Sequence, residues 1–324
     1  MERIGIRCKD GANTMLDAVG LAHYQYLGEQ SGEPGPEGQR RQGMFELSEY
    51  LTLAGQMRRS LAGKRVREGR LGNSPHKFVW YNRTHQEFAS LTAGRRMGEA
   101  YARGRWLFIP LEPGYLLVFG ECGGKILLHQ DDSTIPAKYH LLLRFEDGTA
   151  LSAFTQMWGA MELYEKGEER KRKYICDMRP TPVDEEFSFD YFAGLIAETT
   201  RRERLSVKAL LTQNQLVPGL GNAIAQDIMF RARLNPKQPL AALSRSQRRA
   251  LYQAIRATIA EATRKGGRND EWDLYGRPGS YVRTMDKDAV GRPCPRCGTE
   301  IVKMQYLGGA CYYCPSCQAQ EGQS

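Results

Sequence analysis

From Met44 onward, apolar positions recur at helical spacing: Leu47, Tyr50 or Leu51, Ala54, Met57 and Leu61 follow three or four residues apart until Gly63. The pattern predicts one amphipathic helix at the head of a folded unit. Between 77 and 165 the period shortens toward two, and residues 77–81, 101–109, 115–119, 125–129, 139–145, 150–154 and 157–164 are extended in character. Turn chemistry at Glu112-Pro-Gly114 and Glu146-Asp-Gly148 divides them. Short strands behind a single helix imply a β-sandwich or barrel. After Phe187 the helical period returns, over 189–200, 206–213, 223–231 and 244–264.

The two ends differ from this body. Residues 1–43 show no sustained periodicity, and Ser31-Gly-Glu-Pro-Gly-Pro-Glu-Gly38 is a composition that buries no core. This stretch is expected to be a disordered extension or a mis-assigned start. Translation would then begin at Met44, behind an Arg40-Arg41 pair whose codons could read as a purine-rich ribosome-binding sequence. Met178-Arg-Pro-Thr-Pro182 reads as a linker. The expected units are therefore 44–180, 181–285 and 286–324.

Near the carboxyl end stand Cys294-Pro-Arg-Cys297 and Cys314-Pro-Ser-Cys317, sixteen residues apart. Two such pairs across a hairpin present four thiolates to one zinc ion, so Cys294, Cys297, Cys314 and Cys317 are the expected ligands of a single structural zinc. Cys8, Cys122, Cys176 and Cys311 show no paired spacing and suit reduced thiols; Cys311 is read as a non-ligand. No segment reads as a signal peptide or membrane span, so a cytoplasmic protein without membrane contact is expected.

Charge narrows the partner. Of 324 residues 41% are hydrophobic and the net charge is +9, but residues 1–43 carry 5 basic and 6 acidic side chains and 44–200 carry 21 of each. The last 124 residues carry 20 basic and 10 acidic ones, so the whole excess lies beside the zinc hairpin. That points to a polyanion, most simply nucleic acid. Val217-Pro-Gly-Leu-Gly-Asn222 exposes backbone N–H groups at a helix start, which suits an anion or an ordinary helix connection. His129 and His140 sit among apolar strand residues and receive no ligand role.

Taken in order, these parts resemble the formamidopyrimidine-DNA glycosylase and endonuclease VIII family of base-excision repair enzymes, from 44 to about 319. The resemblance rests on Met44-Phe-Glu-Leu-Ser-Glu49, Gly104-Arg105-Trp106, Val207-Lys-Ala-Leu-Leu-Thr-Gln213, Gly219-Leu-Gly-Asn222 and the four cysteines. It implies an α+β multidomain clamp: an amino-terminal helix with a β-sandwich, then a helix-two-turn-helix domain carrying the zinc hairpin. Double-stranded damaged DNA would lie in the cleft, bound by a nucleoid-associated bacterial monomer. The implied activity is removal of an extruded, oxidised or ring-opened base, with a lyase step through an amino-terminal proline amine.

Carried over by position, Glu46 takes the catalytic glutamate and Glu49 a second acidic place, while Phe45 stands where the proline should be. Arg105 replaces a phosphate-binding lysine, and Trp158 matches a wedge whose neighbouring arginine is missing. Glu121 replaces a void-filling side chain, and Gly309 an arginine. Lys208 and Asn222 match phosphate contacts, Asp227 replaces a glutamate, and Arg268 is a candidate for the charge lost at Gly309. Taken singly, Glu46 is also an ordinary first-turn acid, Lys208 an ordinary solvated lysine and Asn222 an ordinary cap. The rival function is a damaged-DNA binder that keeps the clamp without the chemistry.

Overall fold

The computed structural model describes residues 43–74, 78–156 and 158–319. Helix α1 (Leu47–Ser60) leads the chain and buries Tyr50, Leu53, Ala54 and Met57, the face its periodicity marks. Two sheets follow. One is ordered β1 (Val66–Leu71), β8 (Leu141–Phe145), β9 (Ala150–Thr155) and β7 (Gly124–His129), all antiparallel. The other is ordered β2 (Val79–Trp80), β10 (Gly159–Glu165), β6 (Tyr115–Gly120), β5 (Trp106–Glu112) and β3 (Arg96–Met97), with β4 (Tyr101–Arg103) also paired to β5. Leu107, Ile109, Leu117 and Phe119 share one core with Leu141, Leu143, Phe145 and Leu151, closed by α1.

Two elements depart from the pattern. Helix α2 (His85–Thr92) was not anticipated, although Thr84 and Glu87 form a capping box that the sequence displays. Strand β1 hides because only Val66, Gly69 and Leu71 turn inward or are small, leaving a mostly charged string. The expected strand 101–109 is a hairpin turned at Gly104-Arg105, with Arg103 paired to Trp106.

The second half packs α3 (Phe189–Arg202), α4 (Val207–Thr212), α5 (Asn222–Ala232) and α6 (Arg245–Arg264) around Phe192, Leu210, Ile224, Ile228, Ile255 and Ile259. Ser188, Ser206 and Ser244 cap α3, α4 and α6 with their hydroxyls. Helix α5 has no such cap, since Gly221 occupies the position. After α6 the chain returns to the β domain, where Leu274 joins its core and Gln56 brackets Asp273 and Leu274. β11 (Val302–Tyr306) and β12 (Gly309–Tyr313) form the final hairpin. Among the described residues no helix is long and apolar enough to cross a membrane. Cys122 and Cys311 are free and buried, and Cys8 lies outside the described residues.

Phe45 belongs to the β-domain core: it is fully buried and meets Tyr50 edge-on at 5.6 Å. Phe45→Ala is expected to cost about 3–5 kcal/mol by leaving a cavity there, read as a lower urea midpoint at unchanged m-value.

Candidate active site

The site begins where the chain enters α1. The Phe45 N–H donates to the Cys122 carbonyl at 2.9 Å, and the Leu47 N–H donates to the Gly219 carbonyl at 2.8 Å, so this segment is pinned to both domains. Such proximity requires glycine on the facing turn. Gly219 has φ +92 and a Cβ there would lie 2.6 Å from Leu47 Cβ; a Cβ on Gly221 would lie 2.5 Å from Glu46 Oε1.

Through that opening Glu46 reaches the uncapped end of α5. Its Oε2 accepts from the N–H of Gly221 at 2.9 Å and of Ile224 at 3.3 Å, and its Oε1 from the N–H of Ala223 at 3.0 Å. The α5 N-terminus favours a carboxylate. Burial nevertheless pushes the Glu46 pKa above the ordinary carboxyl value, against the pull of the Arg268 charge. Glu49 closes back on the Glu46 N–H at 2.8 Å and accepts from the Arg268 N–H at 3.0 Å and guanidinium at 3.1 Å. Burial would raise Glu49 too, but the Arg268 charge and these bonds hold it below its usual value.

Arg268 was expected on the DNA face and is instead only 2% exposed. Its guanidinium donates to the Met44 carbonyl at 2.8 Å and faces Glu49, Glu271 at 3.4 Å and Glu46 at 3.9 Å. In this arrangement the Arg268 guanidinium is taken up by these carboxyls and the Met44 carbonyl. Glu271, which sequence reasoning missed, is buried enough that desolvation lifts its pKa to about 8 despite Arg268. Its only sequence signal is its place three residues after an arginine in a loop.

The other positions divide. Arg105 is largely buried in an ion pair with Glu121, so the two residues that depart from the family pattern here neutralise each other. Trp158 is half-buried, stacked on Trp80 at 5.2 Å and tilted against Phe78 at 4.7 Å. Lys208 is buried and donates to the carbonyls of Tyr306 and Gly309, which sets the hairpin tip on α4. Asn222 stays exposed at the start of α5, with its amide on the Ala310 carbonyl at 3.3 Å. Asp227 is buried under Tyr281 and the N–H groups of Thr284 and Met285.

The sulfurs of Cys294, Cys297, Cys314 and Cys317 lie within 4.8 Å of one another, with Cys294–Cys317 at 3.9 Å and Cys297–Cys314 at 3.5 Å. A tetrahedral zinc–thiolate centre with bonds of about 2.3 Å requires sulfurs about 3.8 Å apart. The cluster therefore fits a zinc finger, and Cys311 is outside it.

Comparisons with known proteins agree with this geometry. The formamidopyrimidine-DNA glycosylase N-terminal domain profile matches residues 44–157, and that family's H2TH domain profile matches residues 178–271. The formamidopyrimidine-DNA glycosylase of Thermus thermophilus is 31% identical over 264 residues, covering 79% of this chain and 95% of that one. The chain belongs to the formamidopyrimidine-DNA glycosylase family. The enzyme of that name from Enterococcus faecalis is 29% identical over 288 residues, 86% of this chain and 99% of that one. The crystal structure of the MutM (Fpg) protein from Thermus thermophilus superposes with a TM-score of 0.71 at 28% identity, covering 85% of this chain and 99% of the other. A Lactococcus lactis Fpg complexed with abasic-site DNA shares the fold, with a TM-score of 0.74 at 22% identity and coverage of 85% and 100%. Membership makes the protein a base-excision repair DNA glycosylase of the family that carries AP lyase activity, in preference to a non-catalytic binder.

Glu271 gives this site a pH signature. Because its pKa rises from 4.5 to about 8, the folded state keeps a proton that the unfolded chain has lost. Its contribution to stability is complete below the unfolded value and is lost as pH rises through the folded one. The Tm of the wild type is expected to fall relative to Glu271→Gln between about pH 5 and about pH 8, and to run parallel below that window. A constant difference across the range would remove the assignment.

Proposed function

We propose that this glycosylase removes oxidised or ring-opened bases from double-stranded DNA held between its two domains, with Glu46 as the proton-carrying acid of base release. The observation that carries the reading is Glu46 itself: a buried carboxyl at the domain boundary, on the amino end of α5, with its pKa raised by desolvation. A raised carboxyl pKa suits a group that must deliver a proton near neutral pH. Glu49 supports it from the same turn by closing on the Glu46 backbone. Asn222 offers an exposed amide to a phosphate at the start of α5, and Trp158 offers an aromatic face beside the β9–β10 connection.

Phe45 does not supply the lyase nucleophile. Its nitrogen is a peptide amide whose N–H is given to Cys122, and its ring is packed in the core. Amide nitrogen lacks an available lone pair. The amine for an imine must come from elsewhere in the chain, and Met44 as a free amino terminus is the nearest source along the backbone. One structural zinc held by Cys294, Cys297, Cys314 and Cys317 keeps the hairpin folded and takes no part in the chemistry.

Glu46→Gln is expected to slow base release from a formamidopyrimidine-bearing duplex by roughly 100- to 10,000-fold, while binding of the same duplex is retained. Wild-type release by the variant would refute the role of Glu46. Borohydride trapping on abasic-site DNA, run on chains beginning at Met1 and at Met44, should yield a covalent adduct only with the shorter chain; equal trapping of both would locate the amine elsewhere. Cys294→Ser is expected to lose zinc and DNA affinity together, and normal affinity in a zinc-free protein would contradict the structural role.

A further inference from the structure

The assignment of Glu46 leaves the guanidinium of Arg268 unexplained. Arginine is seldom fully buried unless paired, and a buried ion pair adds little stability over apolar packing of the same volume. Arg268 nonetheless sits between three carboxyls, Glu46, Glu49 and Glu271, all 5% exposed or less at the side chain. The same guanidinium holds the Met44 carbonyl at 2.8 Å. It thus touches the backbone before Phe45 and the carboxyl of Glu49 beyond Glu46, bracketing the proposed acid on both sides. The cluster is also unsaturated: Arg268 Nε and Glu271 Oε2 are buried without a hydrogen-bond partner.

We infer that Arg268 is a positioning residue for base release: it fixes Met44 and Glu49 around Glu46 and sets a positive charge 3.9 Å from its carboxyl. The inference rests on the reading of Glu46 as the acid. The charged groups facing Arg268 are Glu46 and Glu49 from the head of α1 and Asp270 and Glu271 from its own loop. Asp270 is itself taken by Arg283 at 2.6 Å. Arg105, at the β4–β5 turn, is the other cation that acts on Glu46, and Glu121 pairs with it. Arg268 is the largest of the three influences holding Glu46 down against burial, ahead of Arg105 and the Gly221 N–H. The Nη2 nitrogen of Arg268 meets Met44, Glu49 and Glu271 while Nη1 faces Glu46 at 3.9 Å, so lysine at 268 would keep the charge but place one nitrogen where arginine places two.

The test is single-turnover base release from a formamidopyrimidine-bearing duplex as a function of pH, using the full chain as wild type, Arg268→Gln, Arg268→Lys and Glu46→Gln. Arg268→Gln is expected to lower the rate on the order of 100-fold with little change in half-saturating DNA concentration. It should also move the limb of the profile that titrates Glu46 upward by about one pH unit or more. Arg268→Lys should return that limb to near its wild-type place while recovering only part of the rate. A slower Arg268→Gln with an unmoved limb would mean a structural role only, and would overturn the inference; so would a variant indistinguishable from wild type. Full activity of Glu46→Gln would instead sink the reading on which the inference rests, whatever Arg268 does. If Arg268→Gln fails to fold by near-UV circular dichroism, the double variant Arg268→Gln/Glu271→Gln removes a facing carboxyl with the cation. The same upward shift is then expected of it.

Discussion

Three backbone N–H groups at the head of α5 need an acceptor, and the residue that would normally supply one is Gly221, which has no side chain. Glu46 supplies it from another domain. Each of these hydrogen bonds contributes about 0.5–1.5 kcal/mol net, and together they tie the leading helix of the β domain to the central helix of the second through one carboxyl. The geometry has a consequence for chemistry. Glu46 is correctly placed only while the two domains are together, because its partners are across the boundary, and moving them apart would leave the α5 amides and the carboxylate unsatisfied at once.

Phe45 gives both its backbone N–H and its ring to the β domain. A residue with a nucleophilic nitrogen must keep that atom free and exposed to the substrate sugar. Here the nitrogen is bonded to Cys122 and the side chain contributes to the core, with the Tyr50 hydroxyl accepting from the Cys122 N–H at 2.9 Å. Base release and strand cleavage are separable demands: the first needs a proton donor and the second an amine. The acid proposed at position 46 addresses the first demand, and the side chain at position 45 is packed in the core.

The sequence made the broad architecture legible because its signals were local. Paired cysteines on a hairpin, helical periodicity in α1, α3 and α6, and the turns between strands all lie within short windows. What it hid was long-range. Arg268 and Glu49 are 219 residues apart, and nothing near either one announces the other, so Arg268 read as a surface charge. Arg105 was recognised as a phosphate candidate, but its engagement by Glu121 follows only from the turn that brings β5 and β6 side by side. Lys208 was matched to a phosphate contact, with a solvated helix face as its ordinary alternative, and the hairpin that folds over it and lowers its pKa by burial lies 98 residues away. Where an expectation depended on which two segments meet, spacing alone could not supply it.

The zinc module belongs to this same chain of contacts. Its tip is fastened to α4 by Lys208, and its returning strand to α5 by Asn222, Gln226 and the N–H of Tyr312. Asp227, one residue further along α5, holds the backbone of Thr284 and Met285 on the approach to the first cysteine. Helix α5 is therefore gripped by Glu46 at its first turn and by the hairpin along one face. The four cysteines are remote from the proposed acid in sequence, yet only one helix separates them mechanically. A hairpin that lost its fold would release Asn222 and Gln226, and the Ala223 and Ile224 amides that hold Glu46 lie between those two residues, so the hairpin and Glu46 grip the same end of α5.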